Sequence, residues 1–269
     1  RQRQMCIRDS HKAHGTITLA EALRQSCNIY YIQLGQRVGS QTFYNYFDAF
    51  GFTSRTGVDL PSETGFMQYY KANQLGEVQL ASSAFGQAMA ITPLQMCTAV
   101  AAAVNGGYLV TPHVVDKITD ANGNVIEEIG ANVRRQVISE STSNVIRQIM
   151  EYEVGNGTGG GKYAYVSGYR IGGKSGTSEQ LNMDRRADGD YKKVASFAAV
   201  LPADDPEIIV YVMLDDPNNA RTDYSSILAA PVAGNIISEV APYLGIATDG
   251  EDRSQTTVTA VSYTHLRAH

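Results

Sequence analysis

Two apolar runs, Val194–Leu201 and Glu207–Leu214, are separated only by Pro202-Ala203-Asp204-Asp205-Pro206. Runs of this length, rich in branched and aromatic residues and bounded by proline and aspartate, read as two strands of a hairpin. Gly172–Ser178 just before them reads as a short extended piece, and Ser225–Leu244 after them as an amphipathic helix able to cover one sheet face. A strand–strand–strand–helix set of this kind places the chain in the α+β class.

The upstream half has helical periodicity. Thr18-Leu19-Ala20-Glu21 is a capping box, in which two side chains satisfy exposed backbone N–H groups. Helices are predicted over Asn28–Val38, closed by Gly39, and over Gln41–Phe50, closed by Gly51. Thr56–Pro61 reads as a turn. Thr92-Pro93 starts a strong helix that Asn105-Gly106-Gly107 stops. Tyr108–Ile118 and Val125–Ile129 flank a hairpin turn at Asp120–Gly123, and Ser141–Glu153 is a further helix ahead of the glycine-rich stretch 155–161.

The 269 residues contain no internal repeat, and one α+β domain over residues 15–246 is the economical reading. Residues 1–14 are expected to be a non-native extension leading into the domain, 247–260 a polar linker, and 261–269 a non-native tail. The terminal stretches RQRQMCIRDS and VSYTHLRAH resemble translated sequencing-adapter remnants. A net charge of −5 argues against a nucleic-acid partner. Cys6, Cys27 and Cys97 have neither metal nor disulfide spacing, and buried free thiols are expected at Cys27 and Cys97. No metal set is evident among the histidines. By sequence, no apolar run approaches the roughly 18–20 residues of a membrane span.

Two short motifs carry chemistry: Ser26-Cys27-Asn28 and Lys174-Ser175-Gly176-Thr177. Acyl transfer needs a nucleophile, a proton path to the leaving group and an oxyanion site. Lys174 offers positive charge, and Ser175 and Thr177 offer hydroxyls. Gly176, preceded by Gly172-Gly173, lets a ligand approach the strand backbone. Ser26 can relay a proton if Lys174 comes within hydrogen-bond reach, and Asn28 can hold an amide. Taken alone, Ser-x-Asn is explained as well by helix capping, and Lys-Ser-Gly by a solvated turn. Their order and contexts together are far more specific.

With these motifs, LAEALRQSCNIYY (19–31), TGVDLPSE (56–63), AFGQAMAITPLQ (84–95), Gly157-Thr158-Gly159 and GGKSGTSE (172–179) resemble the transpeptidase domain of class B penicillin-binding proteins. The resemblance covers nearly all of residues 15–246, as the C-terminal two-thirds of such a domain. It implies the fold shared with serine β-lactamases, an antiparallel sheet flanked by helices, here incomplete at its N-terminus. It implies peptide cross-linking through a serine acyl-enzyme, with D-Ala-D-Ala stem peptides as substrate and β-lactams as mimics. It implies no cofactor and no metal, a place on the outer face of the cytoplasmic membrane, and membrane-embedded cell-wall synthesis partners.

The roles so implied are catalysis at Ser26, Asn28 and Lys174, and carboxylate binding at Ser175 and Thr177 beside Gly176. The Thr177 N–H is half of the oxyanion hole. The family's nucleophile lies in Ser-x-x-Lys, and no serine here has lysine three positions later. The chain by itself is therefore expected to be inactive, with nucleophile and anchor upstream. Two other readings share the motifs. A class A β-lactamase would add Glu-x-x-Leu-Asn between Ser26 and Lys174, which is absent. A non-catalytic sensor of β-lactam or peptidoglycan would need no nucleophile.

Overall fold

The computed structural model describes residues 17–155, 159–180, 183, 185–186, 189–217 and 224–249. Helix α1 (Leu19–Arg24) opens on the expected capping box, with Thr18 Oγ1 accepting from the Glu21 N–H and the Glu21 carboxylate accepting from the Thr18 N–H. It closes in a tight reversal at Ser26. The Cys27 N–H reaches back to Ala22 O at 2.9 Å, and the Ser26 N–H to Leu23 O at 3.2 Å. This Schellman pattern needs a left-handed residue between its two bonds, and Ser26 takes φ +48°.

Helices α2 (Asn28–Val38) and α3 (Ser40–Ala49) follow, joined by Gly39 at φ +81°. The aromatics of α3 cluster with loop residues, Phe47 lying 4.9 Å from Phe52 and 5.6 Å from Tyr69, centroid to centroid. Helix α4 (Glu77–Ala84) has no counterpart in the sequence reading, since its eight residues carry no side-chain cap and few large apolar groups. It crosses α2 where Gly35 meets Ala84; a Cβ on Gly35 would stand 2.6 Å from the Ala84 methyl. Helix α5 (Pro93–Val104) starts at Thr92 with a second capping box, through Gln95, as its Thr-Pro start predicts.

The segment expected as one strand from 108 to 118 is divided. β1 (Tyr108–Thr111) pairs with an unforeseen β4 (Asn132–Gln136), while β2 (Lys117–Thr119) pairs with β3 (Val125–Glu128) across the predicted turn. The break has a physical cause. Pro112 has no N–H to donate, and the Asp59 carboxylate accepts the Val114 and Val115 N–H groups at 2.8 and 2.9 Å.

Helix α6 (Glu140–Gly155) leads past a 3₁₀ turn (Gly160–Ala164) into the main sheet. Its strands β5 (Gly172–Glu179), β6 (Lys193–Leu201) and β7 (Ile208–Asp215) are antiparallel in the order β5-β6-β7. On one face, Phe197, Ala199 and Leu201 pack with Ala230, Ala233 and Ile237; on the other, Val200 packs with Val104 and Met150. The sheet thus has helices on both faces, as its apolar strands require.

The covering helix is in two pieces, α7 (Ser225–Leu228) and α8 (Ala230–Leu244). Pro231 cannot donate to the preceding turn, which interrupts the continuous helix expected from sequence. The 20 residues Ser225–Leu244 are long and apolar enough to cross a bilayer, which corrects the sequence reading that no run approaches that length. Here, however, Ala230, Ala233, Gly234, Ile237 and Ala241 of α8 are buried within the protein.

Cys27 is buried as expected, whereas Cys97 is only partly buried. Most of the proposed linker and both terminal extensions lie outside the described residues, as do Gly157 and Thr158.

Candidate active site

Antiparallel register fixes what β5 presents. Lys174 pairs with Ala198, Ser175 with Phe197, Gly176 with Ser196 and Thr177 with Ala195. Alternation places Ser175 and Thr177 on the sheet face of Phe197, with Lys174 and Gly176 on the other. The strand can lie flat here because Gly173 leaves room for Phe197. A Cβ at Gly173 would sit 2.4 Å from the Phe197 ring.

The outer edge of β5 has no paired strand among the described residues. The carbonyls of Ser175 and Thr177 instead receive side-chain donors, Lys174 Nζ at 2.9 Å and Gln87 Nε2 at 3.5 Å. In an antiparallel strand the N–H and C=O of a residue turn to the same side, so the Thr177 N–H also faces this open edge. Gln87 is tied to the strand a second time, accepting from the Ser178 hydroxyl at 3.2 Å.

The α1–α2 reversal meets this strand. Lys174 Nζ donates a hydrogen bond to Ser26 Oγ, joining residues 148 positions apart. An ammonium has no acceptor, so Ser26 Oγ accepts, and its own O–H is left to donate elsewhere. Ser26 is exposed, and Asn28 lies two residues on, at the first position of α2. Helix α2 has Cys27 as its N-cap and no side-chain cap bond. Capping therefore does not account for the Ser26 hydroxyl.

Behind Lys174 lies Glu153, which the sequence reading placed at a helix end and gave no role. It is fully buried. Its Oε1 lies 3.7 Å from Lys174 Nζ and 3.5 Å from the Ser175 hydroxyl. Burial pushes its carboxyl up to about 7, against the opposing pull of the Lys174 charge. Ser175 thus turns its hydroxyl toward Glu153, while Thr177 is exposed and its Oγ1 is 2.9 Å from Ser225 Oγ. Ser225, buried at the start of α7, is a second residue the sequence did not single out. Neither Glu153 nor Ser225 belongs to a motif; only the folded packing brings them in.

The structure therefore gathers Ser26, Lys174, Ser175 and Glu153 into one hydrogen-bonded and ionic group, with Thr177 next along the strand and Asn28 beside Ser26. An α+β domain whose open edge strand holds Lys-Ser-Gly-Thr against the serine of Ser-x-Asn has the site arrangement of the penicillin-binding protein class. Comparison with known families agrees. The penicillin binding protein transpeptidase domain matches residues 2–238, and the chain belongs to that family.

Among curated relatives, the chain is 38% identical over 235 residues to stage V sporulation protein D of Bacillus subtilis, covering 87% of this chain and 35% of that protein. It is 33% identical over 250 residues to a probable peptidoglycan D,D-transpeptidase FtsI of Caulobacter vibrioides, covering 89% and 40%. The chain thus spans little more than a third of the length of these relatives. Among solved structures, penicillin binding protein 3 from Mycobacterium tuberculosis, complexed with aztreonam, superposes with a TM-score of 0.74 at 28% identity, over 89% of this chain and 54% of that one.

Proposed function

We propose that residues 15–246 form the larger part of a peptidoglycan D,D-transpeptidase domain, acting on D-Ala-D-Ala stem peptides at the outer face of the cytoplasmic membrane. The observation that carries this reading is the Lys174–Ser26 hydrogen bond. It joins the two motifs in the one arrangement where each explains the other.

In this reading the attacking serine comes from a Ser-x-x-Lys helix that the chain does not contain. When that serine, passing its proton to the lysine of the same Ser-x-x-Lys motif, adds to the penultimate D-Ala carbonyl, negative charge develops on the carbonyl oxygen. The outward N–H of Thr177 stabilises it. Collapse of the intermediate expels the amine of the terminal D-Ala, which must gain a proton. Ser26 is placed to donate its O–H proton and to recover one from Lys174. Asn28 orients the substrate amide. Lys174 attracts the terminal carboxylate, which the exposed Thr177 hydroxyl binds. Ser175 serves less directly, because its hydroxyl already faces Glu153.

The test is the intact mass of the full-length protein from the parent gene after exposure to a penicillin. A lasting increase of one drug molecule is expected. Rapid drug loss without an adduct would favour a β-lactamase, and an inert protein that still binds drug would favour a sensor. The chain alone is expected to take no adduct.

A further inference from the structure

Glu153 has no part in the proton path above, yet it stands one contact away from it, completely buried. Its Oε2 has no hydrogen-bond partner among the described residues. A buried carboxylate with an unsatisfied oxygen is a net cost to a fold, and an apolar side chain of similar size would pack there without it. The 3₁₀ turn nevertheless lies against this group, since a Cβ on Gly160 would be in van der Waals contact with Glu153 Oε1 at 3.5 Å.

Geometry shows what the carboxylate can do there. The three N–H bonds of a lysine ammonium point in tetrahedral directions. At Lys174 they have Ser26 Oγ, the Ser175 carbonyl at 2.9 Å and the Ser175 hydroxyl at 3.4 Å, and Glu153 Oε1 stands beside that hydroxyl, 3.7 Å from Nζ and 3.5 Å from Ser175 Oγ. A lysine on its flexible four-carbon stem keeps one position only when its surroundings fix it.

We infer that Glu153 is a positioning residue, whose buried carboxylate holds the Lys174 ammonium so that Ser26 accepts from it and turns its own proton to the substrate. This rests on the transpeptidase reading for its consequence, but not for its geometry. The titratable groups facing Glu153 are Lys174 on β5 and Tyr31 on α2, whose phenol is pushed up by burial and by the Glu153 charge. Nearby, Arg24 of α1 packs on the Tyr152 ring, and Lys162 of the 3₁₀ turn on Tyr163. Ionisation of Glu153 near pH 7 gives the proposal a spectroscopic handle.

Two measurements decide it. In this chain, with isotope-labelled lysine, the Lys174 side-chain resonance is identified by its loss in Lys174→Arg and followed across neutral pH. It should shift with a midpoint of about 7, and Glu153→Gln should abolish that shift. An unaltered titration in a folded Glu153→Gln protein overturns the inference. In the full-length protein, acylation by a fluorescent penicillin is timed over the same range. Glu153→Gln should slow it about tenfold at alkaline pH and remove the inflection near neutrality, and Glu153→Asp should restore part of the rate.

Added to Ser26→Ala, Glu153→Gln should cost nothing further. A wild-type rate and pH profile in Glu153→Gln overturns the inference. Should Glu153→Gln fail to fold, Glu153→Asp must by itself move the Lys174 midpoint and the rate, or the inference falls. If the wild type takes no label while Lys174 still senses Glu153, the pair stands and the transpeptidase reading fails.

Discussion

Ser26 holds a left-handed backbone conformation that glycine adopts without penalty and that costs other residues about 1–2 kcal/mol. A serine is kept there although glycine would suit the reversal better, which points to its hydroxyl. Ser26→Gly should leave stability unchanged or raise it by about 0.5–1 kcal/mol in urea unfolding, while penicillin acylation of the full-length protein falls. Loss of stability without loss of acylation would return Ser26 to a structural role. Lys174→Ala should abolish acylation and leave the fold intact by circular dichroism, since Lys174 lies on the outer strand β5 and its side chain is 25% exposed.

Glu153 gives a prediction of opposite sign to the usual buried carboxylate in a salt bridge. Its pKa is raised, from 4.5 to about 7, so the folded state holds its proton more tightly than the unfolded chain. Its contribution is fully present below pH 4.5 and is lost as pH rises through 7. Glu153→Gln should flatten that decline and exceed the wild type in stability at alkaline pH, by on the order of 1–3 kcal/mol. Unfolding curves at acid and alkaline pH check it; a variant weaker than the wild type at alkaline pH would contradict it. Here the same carboxylate weakens the fold and orders the site.

Among the elements, β5 depends on close packing more than on its own propensity, since three of its eight residues are glycine. Gly173→Ala would drive a methyl into the buried Phe197 ring, and we expect a loss of about 1–3 kcal/mol in thermal unfolding, with reduced acylation. The elements legible in the sequence were those with a local signal. The capping box at Thr18 and the Thr92-Pro93 pair mark the starts of α1 and α5, the Asp120–Gly123 turn joins β2 to β3, and the apolar runs form β6 and β7.

What was missed depends on contacts distant in sequence. β4 pairs with β1 across more than twenty residues, and Asp59 interrupts the strand after β1 from over fifty residues away. The site divides in the same way. Ser26, Asn28 and Lys174 sit in motifs with fixed spacing, whereas Glu153 and Ser225 are ordinary helix residues until α6 and α7 pack against β5.

At the scale of the whole molecule, helices on both faces hold a sheet whose two outer strands are unlike in use. On β5 the edge beside Lys174 has no paired strand among the described residues, and in the proposed reading an extended peptide lies along it and meets the Thr177 N–H. β7 offers, at the other end of the sheet, a second edge with no paired strand among the described residues, in an apolar run that includes Ile208, Val210 and Val212. The row of backbone groups suited to a substrate on one side equally suits another protein molecule on the other. In colloidal terms this chain, handled by itself, should be a sticky particle with a single preferred direction of growth. Light scattering should rise with concentration, and Met213→Lys, which puts a charge at a half-exposed position on β7, should suppress that rise.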